Sequence, residues 1–163
     1  APANGNPSCA RGTGRLARRV GARMHGYREY MASLHDPEVR RLLSDPNYAV
    51  ISTLNPDGSI HSTVIWISAE DDSVALNSAV GRKWPTNLER DPRVTVLIYE
   101  SGNPYDYVEI RGTATATREG ANEHIDALAK KYLGVDRYPG YKPGQERIKF
   151  VIRPDHVRHV QQG

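Results

Sequence analysis

The chain has 163 residues, 22 Lys and Arg against 19 Asp and Glu for a net charge of +3, and 38% hydrophobic residues. That length suits one domain with its own core; a single cysteine, Cys9, excludes an internal disulfide framework, and no apolar run is long enough to span a bilayer. The charge is lopsided: residues 1–30 hold six arginines against Glu29, a surplus of five, while the remainder has 16 basic and 18 acidic residues and nets −2, so the folded part offers no electrostatic case for nucleic acid.

Residues 1–30 are Gly- and Arg-rich without an apolar period. Arg-rich, acid-poor composition is also that of some targeting peptides, but the segment lacks the apolar stretch of a Sec-type signal. The expectation is a disordered extension ahead of one cofactor-binding domain over residues 31–163, located in the cytoplasm. After Met31 the pattern sharpens. Asp36-Pro37-Glu38 reads as N-cap, N1 proline and first-turn acid, starting a short helix through Val39, Leu42 and Leu43 that ends before Asp45-Pro46. A strand follows from Tyr48 to Leu54, then the turn Asn55-Pro56-Asp57-Gly58, then a second strand from about Ile60 to Ser68. In it Ser62, Val64, Trp66 and Ser68 share one face, and His61, Thr63, Ile65 and Ile67 the other. A third strand, Val74 to Ser78, completes a meander. Lys83 to Arg90 reads as a short helix. Strands from Arg93 to Tyr99 and from about Tyr105 to Thr117 follow, then a helix from Glu119 to Tyr132. A long Tyr-, Pro- and Gly-rich loop leads to a last strand, Arg147 to Ile152, with a strand-like tail from Val157 to Val160. About six strands with few helices point to a closed or partly open barrel, which removes exposed edges.

The segment Asn77-Ser78-Ala79-Val80-Gly81-Arg82-Lys83 carries the clearest chemical signal. A strand ends in amide and hydroxyl groups, turns at a glycine and enters a helix behind two cations. Free N–H groups at a helix start favour an anion, and cations there are misplaced unless one is near. The alternative is a solvated pair of surface cations. His61 to Trp66 could offer alternate polar groups to the edge of a flat ring; Trp66 could equally be a packing anchor. The histidines have no zinc-ligand spacing, no Gly-x-Ser-x-Gly or Gly-x-Gly-x-x-Gly element is present, and no metal site is expected.

The order of these motifs resembles the pyridoxamine 5′-phosphate oxidase-like split-barrel superfamily. The resemblance rests on Arg82-Lys83-x-x-x-Asn87-Leu88-x-x-Asp91-Pro92-Arg93-Val94 and on Arg147-Ile148-x-Phe150-x-Ile152-Arg153-Pro154-x-x-Val157. It is nearest to the actinobacterial branch that uses the deazaflavin coenzyme F420. It implies a mainly β, Greek-key split barrel, a homodimer with cofactor sites at the subunit interface, and a small-molecule substrate reduced by hydride. It places the cofactor phosphate on Ser78, Arg82 and Lys83, with Asn87 in the same motif, and the ring near Ser62, Thr63, Val64, Trp66, Leu76 and Asn77. Lys130, Lys131, Arg137 and Lys142 are candidates for the path of the F420 polyglutamate tail, or a solvated helix end. The tail Arg153 to His159 lacks the tryptophan-containing motif of pyridoxamine phosphate oxidases proper, which speaks against vitamin B6 oxidation. FMN is the alternative cofactor, and a non-catalytic binding protein the alternative role. Tyr105, Tyr107 and His61 are conceivable proton donors by type; no catalytic residue is assigned.

Overall fold

The computed structural model describes residues 26–162. The elements in chain order are β1 (Tyr27–Met31), α1 (Pro37–Ser44), β2 (Ala49–Leu54), β3 (Ile60–Ile65), β4 (Ile67–Ala69), β5 (Val74–Ala79), α2 (Lys83–Arg90), β6 (Arg93–Glu100), β7 (Asn103–Thr117), α3 (Ala121–Leu133) and β8 (Arg147–Gln162).

Every sheet pairing is antiparallel, in the order β3-β2-β6-β7-β8-β5-β4, with β1 added on β8. The two ends of that order, β3 and β4, are consecutive in the chain and joined through Trp66 alone. The sheet therefore curls back on itself, and β3 with β4 acts as one broken strand of a six-stranded barrel. The second strand read from the sequence is thus interrupted at Trp66, where the chain leaves β2 and joins β5. The path from β5 to β6 runs through α2 and skips across the barrel, because those two strands are not neighbours.

Alternation along the strands fills the interior. Ala49, Ile51, Ile65, Ile67, Val96, Ile98, Val108, Ile110, Ile148, Phe150 and Ile152 point inward and are buried. Helix α1 closes one side with Val39, Leu42 and Leu43; Asp36 takes the N-cap place, yet its carboxylate accepts from the Ser33 N–H rather than from the helix. Helix α2 spans the sequence-expected residues and buries Trp84, Pro85, Asn87 and Leu88.

Two expectations change. The last strand is one 16-residue element, not a strand and a separate tail. Pro154 cannot donate to a ladder, and the chain absorbs it where the register shifts between Arg111 and Gly112 on β7. There Gly112 is required, since a Cβ would lie 2.1 Å from the Arg153 carbonyl oxygen. Ordered structure also begins before Met31: β1 runs antiparallel to β8, from Tyr27↔Gln162 to Met31↔Arg158. The Tyr30 hydroxyl lies 2.5 Å from Nδ1 of His159, whose Nε2 donates to Asp106 Oδ1 at 2.7 Å. The expected extension otherwise falls on residues 1–25, outside the described residues. No helix among the described residues is long and apolar enough to cross a membrane.

Candidate functional site

Where β3 breaks, the barrel opens into a slot of about 370 Å³. Its apolar wall is Thr63, Val64 and Ile65 of β3, then Trp66, Trp84 and Ile125; its polar end is Asn77, Ser78, Arg82, Lys83 and Arg147. The break at Trp66 turns the indole out of the strand, and it stacks on Tyr132 at 5.1 Å with the rings 5° apart. Tyr132 is anchored in turn: its hydroxyl donates to the Asn47 carbonyl at 2.7 Å and accepts from the Ile67 N–H at 3.2 Å. Burial pushes that phenol up to about 12. Tyr138, from the loop before β8, meets Trp66 edge-on at 6.0 Å and reaches over the Arg147 guanidinium at 5.2 Å. The wall is thus built of rings that hold one another in place, a rigid surface for a flat partner.

The polar end is electrostatically unfinished. Arg147 is 4% exposed, and no carboxylate among the described residues pairs with it. Burial, then the neighbouring Arg82, hold its pKa below the ordinary arginine value. Its Nε and Nη2 both donate to Asn77 Oδ1, at 2.9 and 2.6 Å, and Nη1 has no partner. Ser78 Oγ, one residue along β5, is likewise buried and unpartnered. Isolated buried polar atoms cost free energy, and a buried unpaired cation costs more. Two such donors in one slot suit an anion. Gly81, at φ +83°, turns the chain into α2, bringing the exposed Arg82 and Lys83 to the same opening. The first turn of α2 carries no acid to compete for them.

Of the residues named from sequence, Thr63, Val64, Trp66, Asn77, Ser78, Arg82 and Lys83 meet in this slot. Three do not line it. Ser62 points outward and pairs with Ser52 Oγ at 2.9 Å. Leu76 is wholly buried in the barrel core. Asn87 is buried beneath α2, donating to Thr53 Oγ1 and Asn55 Oδ1, and so braces the helix against the β2–β3 turn. Two of the tail-path cations are also engaged elsewhere: Lys130 pairs with Asp136, and Lys131 donates to the carbonyls of Leu43 and Ile67. Of the possible proton donors, His61 lines the slot, whereas Tyr105 and Tyr107 do not. Sequence reasoning quoted Arg147 in a family motif but gave it no site role. Arg147 stands 64 positions after Lys83 and reaches the slot through the pairing of Ala79 with Arg147 across β5 and β8; an arginine opening a strand gives no local signal. Among the described residues, no group of three or more His, Cys, Asp or Glu converges as a metal site.

Fold and site together define a split β-barrel with an aromatic slot whose polar end holds buried donors without hydrogen-bond partners. A family model described as pyridoxamine 5′-phosphate oxidase matches residues 35–161, and the chain belongs to that family. It is similar to the solved structure of an F420 reductase, at 23% identity and a TM-score of 0.64, over 72% of this chain and 94% of that one. A conserved hypothetical protein from Mycobacterium tuberculosis superposes with a TM-score of 0.64 at 20% identity, over 81% and 87% of the two chains. A FAD-binding protein from Mesorhizobium loti gives 0.58 at 16% identity, over 82% and 96%. At these identities the likeness establishes the fold. No curated protein sequence matches the chain.

Proposed function

We propose that the protein is a coenzyme F420-dependent oxidoreductase that reduces a small electrophilic organic substrate. The observation that carries this reading is the pair of unpartnered buried donors, Ser78 Oγ and Arg147 Nη1, at the end of an aromatic slot. Ser78, Arg82, Lys83 and Arg147 would hold the cofactor's phosphodiester. Thr63, Val64 and Trp66 would border its ring. When bound, such a ring supplies hydride chemistry. The chain's own residues bind and orient: the guanidinium and hydroxyl fix the phosphate end, the stacked aromatics limit the ring's tilt, and the apolar strand keeps water off one face. His61, Tyr48 and Tyr138 line the slot with side chains able to give a proton.

F420 is favoured over FMN by its tail. Beyond the phosphate it carries further negative charge, and Arg137, held over Tyr141 at 5.3 Å, and Lys142 stand on the loop beside Arg147. The likeness to an F420 reductase supports the same reading. FMN is the second reading, because the same four donors suit a terminal phosphate.

The working unit we propose is a homodimer. Ile60 and Val64 are 70% and 59% exposed on β3, a strand whose described pairing is with β2 alone, and a second copy would cover them and complete the slot's open side.

The test is anaerobic incubation of the full chain with reduced F420 and a panel of quinones, aldehydes and unsaturated lactones. The expected result is protein-dependent reoxidation of F420 with at least one of them. Turnover of the panel with reduced FMN and none with reduced F420 would replace the proposal by the FMN reading.

A further inference from the structure

Arg147 is held by a neutral residue, Asn77, whose orientation is fixed by the surrounding hydrogen bonds. Asn77 has two ends, and each is assigned by a partner that can play one role only. Arg147 has no acceptor, so its two bonds must reach Oδ1. The Ala121 carbonyl has no donor, so the 2.7 Å contact must come from Nδ2. The second Nδ2 hydrogen is directed at Nδ1 of His124, 3.3 Å away. Nδ1 is therefore an acceptor, the proton sits on Nε2, and Nε2 donates to Ser68 Oγ at 2.9 Å.

His124 is kept in this neutral form. It is buried between α3, β4, β5 and β8. Ser68 and Asn77 face it as neutral partners; Lys149 and, less, Arg147 of β8 disfavour a positive charge, while Glu70, paired with Lys149, favours one by more than Arg147 opposes it. Burial first, then Lys149, bring its pKa down to about 4.

We propose that Asn77 and His124 are positioning residues of the anion subsite: together they give Arg147 an acceptor of fixed direction that carries no negative charge, leaving the guanidinium charge for a phosphate-type anion in the slot. The inference rests on the phosphate reading above and deepens it. An aspartate at 77 could make the same two bonds to Arg147 with almost the same shape. At 2.6–2.9 Å in a buried site, it would also neutralise the cation and compete with the ligand. It would in addition set a carboxylate against the Ala121 carbonyl and favour a proton on His124.

The experiment measures two affinities on the full chain, that of F420 and that of its phosphate-free deazaflavin chromophore. The ratio reports the anion subsite, and the chromophore alone reports whether the slot is folded. In the native protein F420 binds more tightly. In Asn77→Asp its affinity falls about tenfold to a hundredfold, while the chromophore stays within about threefold, the span expected for loss of a charge-assisted bond. His124→Leu lowers the ratio as well, and His124→Gln restores most of it, because the glutamine oxygen can accept from Asn77. Nitrogen NMR of the histidines finds His124 neutral with the proton on Nε2 at neutral pH, and its pKa raised in Asn77→Asp. A native protein that discriminates while Asn77→Asp discriminates equally overturns this inference alone. A native protein that binds F420 no better than the chromophore overturns the phosphate reading and this inference with it. Should Asn77→Asp not fold, the Leu and Gln variants at 124 decide by the same ratio, and equal ratios in both overturn the proposal.

Discussion

Arg147 directs two of its donors, Nε and Nη2, to the single oxygen of Asn77 and leaves Nη1 buried without a hydrogen-bond partner. A buried guanidinium arranged in this way destabilises the ligand-free barrel and is stabilised by an anion. Arg147→Met is therefore expected to separate stability from binding. Its thermal midpoint without ligand should equal or exceed the native one, while F420 affinity falls by about 2–4 kcal/mol, the scale of a buried charged hydrogen bond. A midpoint several degrees below native would show that Arg147 serves the fold.

Arg82 and Lys83 reach the same opening from exposed positions, so solvent screens them. Lys83→Ala should weaken F420 by about three- to tenfold, less than the change at Arg147. That effect should shrink as salt is raised, measured by titration at two ionic strengths. A loss larger than that of Arg147→Met would reverse the assigned order of the two cations.

The imidazole of His124 gives a pH signature. Its pKa is lowered from 6.5 to about 4 by burial, then by Lys149. The unfolded chain therefore binds a proton that the native chain refuses between those two values. Stability falls as pH drops from 6.5 toward 4, by up to about 3 kcal/mol, and this contribution is complete below 4. Urea unfolding across that range should show the decline, and His124→Gln should flatten it. An equal decline in the variant would assign the acid sensitivity to other groups.

The barrel's path was partly legible in the sequence, and the reason lies in what each signal needs. Helix α2 follows from Lys83 to Arg90 because a glycine precedes it and Asp91-Pro92 stops it, all local facts. That Arg82 and Lys83 stand together at the start of that helix was readable for the same reason. The break at Trp66 was not, since the alternation of β3 continues into β4 and only the swap of partner strand reveals it. The continuity of β8 through Pro154 was hidden in the same way, because it depends on Asp155 being skipped in the pairing with β7. Asn77 illustrates the limit at the site: its position was clear, but its task, gripping an arginine 70 residues away, depends on a strand pairing that periodicity does not encode.

Order before Met31 has an energetic handle in Tyr30. Its hydroxyl supplies the partner of Nδ1 on His159, which is fully buried, and whose other nitrogen is committed to Asp106. Tyr30→Phe should destabilise the protein by about 1–3 kcal/mol, the cost of leaving a buried acceptor unpaired, read as a lower denaturant midpoint with an unchanged slope. A native midpoint in this variant would mean that β1 does not lock the end of β8.

On the proposed function, the slot ending in Ser78, Arg82, Lys83 and Arg147 holds a deazaflavin by its phosphodiester. Parallel titrations of the purified full chain with F420 and with FMN, at low and at high salt, test it most directly. The expected result is that F420 binds more tightly than FMN and that added salt weakens F420 binding through screening of Arg82 and Lys83. Micromolar binding of FMN with no detectable binding of F420 would contradict it.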